Sequence, residues 1–207
     1  MKRFFTLLLS MALASAAHAQ FGFKAGLNAA VLDGTAANVK ASYKTQYHIG
    51  ALYNYKVAGP LSIQPELLYS LQGTERKSDL LDYDTKLHYL NLPVLAKVTL
   101  GPVFLEAGPQ FGVLLTAKEV GTMLVAPPTP NAPAQYGEVS RQVKDNYKKN
   151  DFSLCAGLGF KLHSVLVGAR FTAGLNDINA AKPVTGVNDS QLKNRVFQSY
   201  VAFQLGK

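Results

Sequence analysis

The sequence predicts an all-β chain: an eight-stranded antiparallel up-and-down barrel that crosses a membrane on its strands. Three observations predict it. After residue 20, eight segments alternate apolar and polar residues. The gaps between them alternate long and short, and the polar face is small and sparsely charged. A period of two marks strands. Long connections at one end with tight turns at the other describe an outer-membrane barrel.

The first nineteen residues read as an address. Lys2 and Arg3 form a charged start, Phe4 to Ala17 an apolar stretch, and Ala17-His18-Ala19 the small–x–small pattern before a cleavage site. Ala17, Ala19 and Gln20 thus mark an expected cut, leaving residues 20–207 as one barrel domain. The apolar stretch is shorter than the ~20 residues of a spanning helix. No later segment approaches 18 consecutive apolar residues, so helical spans are not expected.

The expected strands are 21–32, 45–58, 61–73, 86–100, 102–116, 151–163, 165–176 and 195–206. Gly59-Pro60, Gly101-Pro102 and His163-Ser164 supply the tight turns. The stretches 33–44, 74–85, 117–150 and 177–194 supply the long loops. In the second segment Tyr47, Ile49, Ala51, Tyr53, Tyr55 and Val57 oppose Gln46, His48, Gly50, Leu52, Asn54 and Lys56. In the third, Leu61, Ile63, Leu67, Tyr69 and Leu71 oppose Ser62, Gln64, Glu66, Ser70 and Gln72. The fifth sets Val103, Leu105, Ala107, Phe111, Val113 and Leu115 against Glu106, Gly108, Gln110, Gly112 and Thr116. The sixth to eighth repeat the pattern, and each apolar face covers the length of a tilted membrane-spanning strand.

Alternation alone does not say which face points inward, because a soluble exported barrel holding an apolar ligand alternates too. Composition decides. A soluble exterior carries many charges of both signs, whereas this polar face is mainly Gly, Ser, Gln and Asn. It therefore faces the lumen, and the apolar face meets lipid. Tyr89 and Tyr200 fall on the polar side and are not expected in an interfacial aromatic belt. Pro65, Pro93 and Pro109 conflict locally with this reading, since each removes a ladder hydrogen bond in a sheet with no free edge. Bulges or frayed ends are expected to absorb them.

Removing Lys2 and Arg3 lowers the formal charge from +8 to +6. Export makes nucleic acid the wrong partner, and a basic surface suits outer-membrane lipid and lipopolysaccharide. Cys155 is the single cysteine, so no internal disulfide forms, and a lone thiol in a strand reads as a small packed side chain.

Four phrases now resemble a family: Phe23-Lys24-Ala25-Gly26-Leu27-Asn28, Gln64-Pro65-Glu66-Leu67-Leu68-Tyr69-Ser70, Tyr89-Leu90-Asn91-Leu92-Pro93-Val94-Leu95 and Arg170-Phe171-Thr172-Ala173-Gly174-Leu175-Asn176-Asp177-Ile178. In this order they resemble the PorT-like outer-membrane β-barrels of the Bacteroidetes, across nearly all of residues 21–207. The resemblance implies an eight-stranded barrel with Pro65 and Pro93 inside it, and no common enzymatic activity. Some members are linked to protein secretion across the outer membrane.

The chemistry on offer is limited. Lys24, Glu66, Lys97, Glu106, Lys161 and Arg170 share the lumen face, where charge is costly unless paired. At least one Glu–Arg or Glu–Lys bridge is expected to plug a lumen that has room for little else. A small lipid-modifying enzyme is the catalytic alternative, with His48 or His88 beside Ser42, Ser78 or Asp84 as its only residues. No metal-ligand spacing and no triad signature appears, so neither cofactor nor metal is expected. The 117–150 loop is the functional suspect: a stiff Pro-rich half from Ala126 to Pro133, then Arg141, Lys144, Lys148 and Lys149 around Tyr136 and Tyr147. The expectation is a monomer with a non-enzymatic structural or interaction role through its outer loops, this one being either a solvated loop whose cations meet lipopolysaccharide phosphates or a protein-docking site.

Overall fold

The computed structural model describes residues 19–34, 41–78, 81–126, 135–180 and 191–205. Most of the proposed leader, including Ala17, and the proline run at 127–134 lie outside the described residues. The strands are β1 (Ala19–Gly34), β2 (Ala41–Ala58), β3 (Leu61–Ser78), β4 (Leu81–Leu100), β5 (Val103–Ala126), β6 (Gln135–Gln142), β7 (Asn150–Leu162), β8 (Val165–Gly174) and β9 (Leu192–Leu205). All pair antiparallel. The ring runs β1-β2-β3-β4-β5-β7-β8-β9 and closes by pairing β1 with β9, from Phe21 opposite Leu205 to Gly34 opposite Leu192. Eight strands thus make the wall.

β6 stands outside the ring. β5 pairs with β7 only over Val103–Val113, then continues with β4 on one side and β6 on the other up to Ala126. The expected 117–150 loop is therefore corrected to a β-hairpin followed by a folded-in segment. The first four segments and the eighth are also longer than the sequence indicates. The physical reason is solvent. Above the hydrocarbon the outward face meets water, so Lys118 and Thr122 sit where lipid would demand apolar side chains. The hydropathy alternation fades while the backbone ladder persists.

The faces divide as composition requires. Phe23, Leu27, Ile49, Leu67, Leu105, Leu158 and Val201 lie exposed on the outside, and Lys24, Gln64, Glu66, Glu106, Gln110 and Arg170 are buried inside. A soluble barrel with an apolar cavity is excluded by this arrangement. Tyr47, Tyr53 and Tyr55 stand on the outer surface, whereas Tyr89 and Tyr200 are interior. Leu71 is the exception: expected outside, it is 7% exposed, at the level where the β2–β3 ladder is irregular between Tyr43 and His48.

The three turns at the other end are tight. Gly59 (φ 51°), Gly101 (φ 60°) and His163 (φ 54°) each take the left-handed conformation that returns a strand in two residues.

The prolines are held by neither bulges nor frayed ends, which corrects that expectation. The ladder skips Tyr53–Asn54 opposite Gln64–Pro65, Glu66–Leu67 opposite Leu92–Pro93, and Val94–Leu95 opposite Gly108–Pro109. It resumes each time in the same register. Each proline has one side without a donor, and that side faces the preceding strand.

Candidate functional site

The lumen is built by register. Glu106 on β5, Gly157 on β7 and Arg170 on β8 lie directly opposite one another in a row across three strands. Because Gly157 carries no side chain, the Arg170 guanidinium crosses over β7 and donates Nε to Glu106 Oε1 at 2.8 Å. Its two terminal nitrogens each reach a different oxygen of Glu66 at 2.8 Å, a bidentate fork. Lys24 adds a 3.3 Å bond to Glu66 and lies 3.5 Å over the Tyr200 ring. Tyr200 in turn donates to Glu106 at 2.9 Å. All four charged groups are buried, so every charge has its counter-charge within the cluster.

Of the six lumen charges singled out from sequence, the fold thus joins Lys24, Glu66, Glu106 and Arg170. Lys97 is attached through Gln64, which accepts from Lys97 at 3.1 Å and donates to Glu66 at 2.7 Å. Lys161 stands apart at the tight-turn end, donating to Gln20 Oε1 at 3.2 Å. Gln64 and Tyr200 are neutral members of the cluster that charge alone does not mark, and Asn28 centres a separate buried network. Asn28 Nδ2 donates to the Tyr47 carbonyl, Ser70 Oγ and the Leu71 carbonyl, and its Oδ1 receives Gln198 and meets His48 Nδ1 at 2.7 Å. Its place on the polar face of the first segment was the available signal.

Chemically the cluster braces the wall. Both of its carboxylates are engaged by the guanidinium, Glu66 through two oxygens and Glu106 through Oε1. Below it Leu52, Phe104, Leu166, Tyr200 and Ala202 pack together. Above it Leu32, Leu87, Tyr89, Leu114, Ala117, Val143, Tyr147, Ile178 and Leu192 form a larger apolar plug. The barrel is filled at three levels.

That outer plug changes the picture of the long loop. Residues 143–149 turn inward over the mouth through a single helical turn at Lys144–Asn146. Val143 N–H bonds to the Ala117 carbonyl, Lys148 N–H to Ile178 and Ala180 N–H to Asn146. Tyr147, expected as an exposed docking ring, is 6% exposed and belongs to the plug. Three of the four expected free cations are engaged: Arg141 pairs with Glu119 at 2.8 Å, Lys148 with Asp177 at 3.0 Å, and Lys144 donates to the Leu115 carbonyl at 2.6 Å. Tyr136 and Lys149 remain exposed. Partial burial alone would raise the Asp177 carboxyl. The backbone N–H groups of Asn179 and Leu192 and the Lys148 ammonium outweigh it and hold the group below the ordinary carboxylate range.

The residues of the catalytic alternative do not come together. His48 faces the lumen against Asn28, His88 bonds the Tyr69 hydroxyl, and Asp84 is held by Lys44 at 2.8 Å. The side chains of Ser42 and Ser78 lie outside the described residues.

A family description, that of the outer membrane protein beta-barrel domain, matches residues 13–180 of this chain. The chain belongs to this family. It is a closed eight-stranded barrel of the bacterial outer membrane. Solved structures of similar shape include Ail, the attachment invasion locus protein of Yersinia pestis, at 14% identity and a TM-score of 0.46, covering 91% of this chain and 99% of that one. Neisserial surface protein A is 9% identical with a TM-score of 0.49, covering 89% and 97%. OprG of Pseudomonas aeruginosa is 12% identical with a TM-score of 0.46, covering 91% and 96%. Among curated proteins, none matches significantly. By the usual orientation of this family's architecture, the tight turns face the periplasm and the longer connections the outside.

Proposed function

We propose that this barrel is a non-enzymatic surface protein that engages a protein partner through the wall raised by β5 and β6. One observation carries the reading: β5 outlasts its barrel partner β7 and carries β6 out of the ring, where Tyr136 is 60% exposed. The filled lumen argues against solute passage, and the separated histidines argue against lipid chemistry. Lipid and lipopolysaccharide surround the wall, with Lys149 among the cations available to their phosphates. The PorT-like phrases favour one form of this role, an accessory to protein secretion. The mature chain starts at Gln20, which an intact-mass measurement on protein from outer membranes checks.

A photo-crosslinking residue placed at Tyr136 in intact cells tests the reading. A discrete protein adduct there, absent when the same residue replaces Gly59, is the expected result. No adduct at Tyr136 or elsewhere on β6 would refute partner docking. Removing residues 120–140 while the barrel keeps its heat-dependent gel mobility then tests secretion: loss of particular proteins from the medium supports it, and an unchanged set counts against it.

A further inference from the structure

The inner mouth of the barrel has a composition unlike the rest of the lumen. A cavity of about 210 Å³ opens there, lined by Asn54 and Lys56 of β2, the Gly59-Pro60 turn, Leu61 and Ser62 of β3, Thr99 of β4 and Lys161 of β7. None of these residues is acidic. Lys56 and Lys161 arrive from opposite parts of the ring and line the same cavity. The next layer inward repeats the sign, because Lys97 lies just above, bound to Gln64 and over the Phe104 ring at 4.0 Å.

The lumen carboxylates Glu66 and Glu106 do not line this cavity and are bound to other groups. Glu66 and Glu106 are gripped by Arg170, with Lys24 also on Glu66. Lys161 has only the neutral Gln20 oxygen as its hydrogen-bond acceptor among the described residues. Like charges brought together around a concavity raise its potential and concentrate counter-ions there. The Ser62 and Thr99 hydroxyls and the Asn54 amide add neutral hydrogen-bonding groups around the two ammonium groups. The cavity is large enough for one small oxyanion with some of its water.

We propose that this inner mouth is a binding site for a phosphate group, held between Lys56 and Lys161. Two sources offer that chemistry on the periplasmic side: phosphate free in solution, and the headgroup of an inner-leaflet phospholipid beside the turns.

The test uses the full barrel with ¹⁵N-labelled backbone, refolded either in digalactosyl-diacylglycerol vesicles, which carry no phosphate, or in phosphatidylglycerol vesicles. Inorganic phosphate is titrated while the Gly59 and Gly101 amide resonances are followed. Saturable shifts in both lipids identify free phosphate as the occupant. Saturable shifts in the galactolipid only, with the phosphatidylglycerol sample already at the shifted position, identify the headgroup. Either result supports the site. In the double variant Lys56→Gln/Lys161→Gln the affinity falls at least about tenfold, and Lys193→Gln, at the outer end of β9, leaves it unchanged. No saturable shift in the galactolipid, or an equal response in the double variant, overturns the proposal. Heat-dependent gel mobility confirms that each variant has formed its barrel.

Discussion

Arg170 holds Glu66 by two parallel hydrogen bonds of 2.8 Å, from two terminal nitrogens to two carboxylate oxygens, inside a barrel whose wall faces lipid. The pair spans the ring from β8 to β3, so it ties together strands with no backbone ladder between them.

Arg170→Met leaves Glu66 and Glu106 buried without their guanidinium. Removing one partner of a buried ion pair costs about 3–5 kcal/mol, so the urea midpoint for unfolding from detergent micelles should fall substantially. Arg170→Lys keeps the charge and loses the fork, and should fall between Met and wild type. Adding Glu106→Gln to Arg170→Met removes the one excess charge, leaves Glu66 paired with Lys24, and should restore part of the loss. A double variant no better than Arg170→Met would mean that the excess charge is not the source of the cost.

Gly157 is required by the crossing of Arg170. A Cβ at that position would stand 2.7 Å from the Ala169 carbonyl oxygen and 3.0 Å from Glu106 Oε1. Gly157→Ala should destabilise by about 1–3 kcal/mol, the usual range for overpacking. Gly59→Ala meets no neighbouring atom and is disfavoured only by its φ of 51°. Paired urea titrations compare the two, and Gly157→Ala should unfold at the lower concentration.

Among the described residues, side chains fill the lumen at three levels. Purified protein in planar bilayers should give no discrete conductance steps above the bare-bilayer baseline. Reproducible unit steps from the wild type would contradict the packing described for the plug and the ionic cluster.

Asp177 holds the outer plug in place from outside the wall: its Oδ1 accepts the Asn179 and Leu192 N–H groups and its Oδ2 pairs with Lys148. Its carboxyl sits below the ordinary aspartate value. A depressed carboxyl stabilises the fold above that ordinary value, and the stabilisation is lost as pH falls through the folded-state value. Asp177→Asn should therefore speed amide exchange at Ile178 near neutral pH, and the gap from wild type should close as the solution is acidified below pH 4. A gap that persists unchanged in acid would assign the effect to shape alone.

The sequence makes the membrane-spanning part of this fold legible because lipid enforces it. Phe23 and Lys24 could not exchange faces without placing an ammonium in hydrocarbon, so hydropathy reports geometry there. Gly59-Pro60 and Gly101-Pro102 are equally plain, because few residues tolerate a left-handed turn. Legibility stops where water bathes both faces: β6 and the upper part of β5 carry no alternation to find. Tyr147 shows a different limit. Nothing local marks it as buried, since its partners Leu32, Leu87 and Ile178 come from distant strands and a loop. For the lumen, period two identified which charges share a cavity. Which ones touch depended on register and on the gap at Gly157, and neither can be read from one strand at a time.

The three strand prolines all fall in β3, β4 and β5, and the strands that meet at the ring's closing seam, β1 and β9, contain none. Those two also lie furthest apart in sequence, so their pairing bears the largest chain-entropy cost of any contact in the molecule. That cost is met along an unbroken ladder from Phe21 opposite Leu205 to Gly34 opposite Leu192. The interrupted ladders lie across the ring, between neighbours in sequence whose short turns make re-pairing fast. During assembly the half-formed sheet can thus bend at its proline side while its two ends zip together without a missing tooth.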